Sequence, residues 1–116
     1  MKSDNVIVDK SKALAVRVVR LVRYLQREKR EFVLSKQILR SGTSVGANVK
    51  EAIRGQSKAD FISKMSIALK ESSETEYWLE ILHETDYISD IEFESIYADN
   101  KEVIKILMSI VKTSKG

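Results

Sequence analysis

The chain has 116 residues and a mass of 13.2 kDa, a length that suits a single domain, expected here over residues 1–116. It contains no cysteine and one histidine, which excludes thiolate metal sites, cysteine nucleophiles, redox switches and any multi-histidine site within one chain. The net charge of +3 conceals a division: residues 1–58 carry 14 Lys and Arg against 5 Asp and Glu (+9), and residues 59–116 carry 6 against 12 (−6).

Every arginine lies in the first half. Such a split suits an acidic partner such as nucleic acid for the basic half, and it equally lets one half of a subunit complement the other half of its neighbour. No apolar run approaches the ~18 residues of a membrane span, and the opening MKSDNVIVDK lacks the apolar stretch of a signal peptide. The expectation is a cytoplasmic protein with no membrane contact. The absence of proline and the presence of only four glycines favour long helices over sheets joined by tight turns.

The first helix is expected from about Lys10 to Arg30, with Leu14, Val18, Leu21, Val22 and Leu25 forming an inward stripe at helical spacing. Arg17, Arg20, Arg23, Arg27 and Arg30 are spaced 3, 3, 4 and 3 apart. They cover roughly a 140° arc on the opposite side of that helix. Arginine presents a planar fork of donors that stays charged, so the stripe can follow a phosphate backbone. A solvated face, or pairing with acidic residues of a neighbouring subunit, explains the same pattern. Tyr24 lies beside the stripe, where it can stack on a base or simply pack.

Ser35 is expected to cap a second helix that carries Ile38, Val45, Val49, Ala52 and Ile53 inward and stops at Gly55. Its middle, Ser41 to Asn48, is a run of small residues with poor helix propensity. Gly42 and Gly46 share a face, so close helix-to-helix approach is the expected compensation, with Asn48 as a polar contact between helices. A phosphate-binding loop would need a lysine and a preceding strand that this segment lacks. Lys36, Arg40 and Arg54 are further candidates for contacting phosphate.

Ser57 followed by Asp60 resembles a capping box and opens a third helix through Phe61, Met65, Ala68, Leu69, Leu79 and Leu82, ending near Asp86. Trp78 and Tyr77 are expected to cover a helix–helix or subunit contact. Glu80 and His83 have the spacing of a di-iron ligand pair, but one histidine cannot complete such a site, and no metal or cofactor is expected. Lys70 and Glu74 fit a surface i,i+4 pair. No serine has a histidine and an acid at triad spacing.

Ser89 followed by Glu92 is a capping box for a fourth helix whose face includes Phe93, Ile96, Tyr97, Ile104, Leu107 and Ile110. The tail KTSKG is expected to fray. Four helices joined by three short connections must run up, down, up and down, so the expected fold is an all-α antiparallel four-helix bundle.

Two segments carry a resemblance: LRSGTSVGANVKEA, from Leu39 to Ala52, and SKADFISKMSIALKESSETEYWLEIL, from Ser57 to Leu82. The small-residue second helix, together with Asp60-Phe61-Ile62, Ile67-Ala68-Leu69-Lys70-Glu71 and Glu74-Thr75-Glu76-Tyr77-Trp78-Leu79, resembles a family of small bacterial four-helix bundle proteins. That family includes proteins encoded by intervening sequences of large-subunit ribosomal RNA genes. The resemblance implies an antiparallel bundle assembled into a ring, a homopentamer, with no enzymatic activity and no catalytic residue to carry over. A related branch comprises accessory proteins of diversity-generating retroelements, thought to bind nucleic acid and a reverse transcriptase through basic surfaces. Many members have Gly after the Ala-Glu of the second helix, where this chain reads Lys50-Glu51-Ala52-Ile53.

The functional expectation is therefore a non-enzymatic oligomer that binds RNA or DNA with little sequence preference. Arg17, Arg20, Arg23, Arg27, Arg30, Lys36, Arg40 and Arg54 are its candidate contacts. The alternative is a structural or protein-interaction ring whose charges serve subunit contacts.

Overall fold

A computed structural model describes residues 2–115, with side chains described from Val6 onward. Four helices make up the architecture: α1 (Lys2–Arg27), α2 (Leu34–Ile53), α3 (Lys58–Glu84) and α4 (Asp90–Lys115). Each packs on two neighbours, α1 on α2 and α4, and α3 on α2 and α4. The result is an antiparallel four-helix bundle measuring 44 × 21 × 18 Å, with no strand among the described residues.

The inward stripe of α1 holds as expected. It continues toward the N-terminus through buried Ile7 and Ser11, so α1 begins well before Lys10. It also ends earlier than expected, at Arg27. Arg30 takes a left-handed conformation with φ 54°, and the Glu31 N–H turns back to the Leu25 carbonyl at 3.0 Å, which stops the helix. Arg30 therefore leaves the stripe.

The cap of α2 differs from expectation. Its N-cap position is Val33, which has no capping side chain. Instead the buried Glu31 carboxylate accepts from the N–H groups of Val33, Leu34 and Ser35 at 3.2, 3.0 and 2.8 Å. The Ser35 hydroxyl donates back to the Glu31 carbonyl at 2.9 Å. An anion is thus placed on the positive end of the helix. Ser57 and Ser89 cap α3 and α4 as expected, accepting from Asp60 N–H and Glu92 N–H at 3.1 and 3.2 Å. At the far end of α3, Asp86 is left-handed (φ 66°) and the Tyr87 N–H reaches the Leu82 carbonyl at 2.9 Å.

Gly55 does not stop α2 by adopting a positive φ. A Cβ there would lie 3.0 Å from the Ala52 carbonyl oxygen and 3.2 Å from Asp60 Cβ, so the α2–α3 connection is tight around Gly55. Helix α4 extends to Lys115. Lys112 and Lys115 lie in its last turn, where positive charge is favoured; Gly116 is outside the described residues.

Gly42 and Gly46 bring α2 against α1. A Cβ on Gly42 would stand 2.7 Å from a methyl of buried Val18, and one on Gly46 would stand 3.4 Å from the Ser11 carbonyl oxygen. Close approach thus explains Gly42, while Gly46 leaves room for a methyl group. The polar contacts between helices come from other residues than expected. Asn48 donates to the Ser44 carbonyl of its own helix at 2.8 Å. Buried Asn100 bridges α4 to α3, accepting from the Ser72 hydroxyl at 2.9 Å and donating to the Ser72 carbonyl at 3.0 Å. Thr75 donates to the Ser41 hydroxyl at 2.9 Å across the α2–α3 seam.

Trp78 packs against the core. Neighbouring Tyr77, 54% exposed, meets it edge-on with ring centroids 5.1 Å apart. The indole N–H of Trp78 is buried with no acceptor among the described residues. Glu74 pairs with Arg40 rather than with Lys70. Glu80 accepts from the Tyr97 hydroxyl at 2.8 Å, and His83 stacks on Phe93 at 4.1 Å with Nε2 2.6 Å from Asp90 Oδ1. The two residues with ligand-like spacing are thus held in separate contacts.

Candidate nucleic-acid interface

The antiparallel arrangement converts the charge division along the sequence into one across the bundle. The C-terminal half of α1 and the N-terminal half of α2 bring Arg17 to Arg40 to one end of the molecule, and the acidic stretches of α3 and α4 stand beside them. The arginines consequently fall into two groups.

Arg17 and Arg40 are engaged within the chain. Arg17 reaches across the α1–α4 seam to Asp99 at 2.7 Å and Glu92 at 3.7 Å. Arg40 spans the α2–α3 seam to Glu71 at 3.1 Å and to Glu74. Lys10 adds a contact to Glu102 at 2.9 Å; hydrogen bonding to Glu102 and its charge, with a lesser contribution from Asp99, outweigh desolvation and raise the Lys10 pKa. Sequence periodicity missed this use of the arginines. The signal was nevertheless available, because Glu92 and Asp99, seven apart, share one face of α4, and Glu71 and Glu74 are helical neighbours on α3.

Arg20, Arg23 and Arg27 form the second group. They are exposed on the outer side of α1, and none makes an ion pair among the described residues. Arg30 sits beyond the helix with its guanidinium 5.8 Å from the centroid of Phe32. Lys36 is exposed near the start of α2, at the same end of the bundle, whereas Arg54 follows the last turn of α2 at the opposite end. The eight candidates therefore do not form one surface. A continuous part consists of the three exposed arginines of α1, with Arg30 and Lys36 beyond them.

Beside this face, between α1 and the start of α4, lies a groove of about 520 Å³ lined in part by Arg17, Arg20, Tyr24 and Ser89. A shallower depression on the outer face of α1 includes Lys12, Val16, Val19, Arg20 and Arg23. Neither contains an arrangement of nucleophile, base and orienting group. Among the described residues, no group of three or more His, Asp or Glu side chains could hold a metal ion, and no helix is long and apolar enough to cross a membrane.

These features define a small antiparallel helical bundle with a basic face on its first helix. The chain belongs to the 23S rRNA-intervening sequence protein family, whose model matches residues 3–109. It is similar over 95% of its length, at 58% identity and a TM-score of 0.93, to a protein from Bacteroides thetaiotaomicron in the S23 ribosomal protein family. That crystal structure is described as one of a protein with unknown function, and the match covers 98% of its chain. A comparison with curated proteins finds no match.

Proposed function

We propose that this protein is a non-enzymatic cytoplasmic helical bundle that binds RNA or DNA, with little sequence preference, through the outer face of α1. The observation that carries this reading is the set Arg20, Arg23 and Arg27, exposed along one helix and without ion-pair partners among the described residues. Charges held out in water on one face attract a polyanion and release its counterions on contact. Arg30 and Lys36, at the same end of the bundle, are lesser contacts, and Arg54 at the opposite end lies off this face. Arg17 and Arg40 serve the bundle's own seams.

The reading includes a closed homo-oligomer, a homopentamer of about 66 kDa. Its support is the family resemblance together with apolar side chains left exposed on three helices, Val16, Tyr77 and Met108. A ring repeats the α1 face in every subunit, so weak phosphate contacts act together and avidity rises. The acidic sides of α3 and α4 favour a second reading, in which the free arginines meet carboxylates of a neighbouring subunit and the ring is purely structural.

One experiment separates the two. Oligomeric state is measured by light scattering, and binding to mixed-sequence RNA and DNA at two salt concentrations, for the wild type and for Arg20→Ala/Arg23→Ala/Arg27→Ala. The proposal expects an intact oligomer whose binding falls steeply with salt and is weakened about equally on every sequence by the triple change. Unchanged binding removes the stripe from the interface. Loss of binding through loss of the oligomer makes the arginines subunit contacts.

A further inference from the structure

Tyr24 lies one turn beyond Arg20 on α1, 43% exposed. With Ile88 and Ser89 it lines two adjacent depressions. On one side is the groove of about 520 Å³, with Arg17, Arg20 and Glu92 at its edge and the largely buried Leu21 and Ile88 forming its apolar floor. On the other, the depression is bordered by Glu84, Asp86 and Asp90 as well as Lys29 and His83.

These two sides differ in what they admit. Three carboxylates on the second side repel a phosphodiester chain, whereas the one carboxylate of the first groove, Glu92, stands 3.7 Å from the Arg17 guanidinium, and Arg20, unpaired within the described chain, attracts a phosphate there. Arg17 at the same edge is already held by Asp99 at 2.7 Å, so it fixes the wall rather than competing for the ligand. A strand whose phosphates follow Arg27, Arg23 and Arg20 arrives beside the exposed ring of Tyr24.

We infer that this groove takes an unpaired base of a single-stranded nucleic acid, stacked on Tyr24 against Leu21 and Ile88, with the adjoining phosphate on Arg20. The inference rests on the nucleic-acid reading above and adds to it a site that only strands with unpaired bases can fill. In a duplex the bases are stacked on one another, so a duplex meets the arginines but cannot offer a base face to Tyr24. Stacking on an aromatic ring tolerates any base, which agrees with binding of little sequence preference.

The test measures fluorescence anisotropy with a labelled oligothymidylate and a labelled duplex of equal length. The proteins are wild type, Tyr24→Ala, Tyr24→Phe and the triple arginine variant. Tyr24→Ala is expected to lose about tenfold in affinity for the oligothymidylate, the scale of one base–aromatic stack, with duplex binding unchanged. Tyr24→Phe keeps the ring and is expected to stay near wild type. The arginine variant is expected to weaken on both probes. If Tyr24→Ala binds the oligothymidylate like wild type, or Tyr24→Phe is as weak as Tyr24→Ala, the base site is overturned while the arginine reading stands. If wild type binds neither probe, both fall together.

Discussion

Glu31 lies outside α2 yet performs the task usually given to an N-cap side chain. Burial pushes its pKa up, but the N–H groups of Leu34, Ser35 and Val33, with further help from the Ser35 side chain, outweigh it and hold the carboxyl below the usual glutamate range. The sign of the pH effect follows. A depressed native pKa contributes stability that is fully present above the unfolded value and lost as pH falls through the lowered native one. Glu31→Gln keeps the shape and removes the charge, so it is expected to cost about 1–2 kcal/mol at neutral pH. Thermal melts across the acid range should show the gap between variant and wild type shrinking toward low pH. A gap independent of pH would contradict this account. Local spacing identified Ser57 and Ser89, which accept from the residue three ahead. It did not identify Glu31, although Leu34 lies three ahead of it, because glutamate is not one of the usual N-cap residues.

Between elements, the two helix-2 glycines make opposite predictions from one geometry. At Gly42 an added methyl meets Val18, a buried residue with a stiff β-branched side chain. Gly42→Ala is therefore expected to destabilise by about 1–3 kcal/mol through overpacking, more than its helix-propensity gain of at most about 1 kcal/mol returns. At Gly46 the nearest atoms stand at 3.4 Å, so Gly46→Ala is expected to be neutral or to stabilise by up to about 1 kcal/mol. Urea denaturation of both variants checks the contrast, and equal effects would contradict it. Asn100→Ala is expected to cost about 1–3 kcal/mol by stranding the Ser72 hydroxyl, read by the same denaturation. The spacing of Gly42 and Gly46 made the close approach legible in the sequence. The polar bridge was assigned to Asn48, although Asn100 falls at helical spacing with buried Ile96, Val103 and Ile104. Following the apolar face of α4 would have placed Asn100 inside the bundle, and Asn48 lies off the Val45–Val49 line.

At the scale of the molecule, the division of charge along the chain was plain, but its use was not. Helical periodicity treated the five arginines of the first segment as one stripe, because it describes one helix and takes no account of what the next helix presents. Packing separates them: Arg17 joins α1 to α4, as Arg40 joins α2 to α3, while Arg30 leaves the helix and Arg20, Arg23 and Arg27 remain outward. The proposed reading is that Arg20, Arg23 and Arg27 carry the nucleic-acid surface while Arg17 and Arg40 stay in the bundle's own seams. It is tested most directly by the salt dependence of duplex DNA binding for Arg20→Ala/Arg23→Ala/Arg27→Ala and for Arg17→Ala/Arg40→Ala, with thermal stability measured alongside. Each arginine that contacts phosphate contributes a slope of roughly 0.9 in log affinity against log salt. The triple change is expected to reduce the slope by up to about 2.7 per engaged subunit and leave the melting temperature near wild type. The double change is expected to lower the melting temperature and leave the slope unchanged. A slope that falls with Arg17 and Arg40 but not with Arg20, Arg23 and Arg27 would contradict the account.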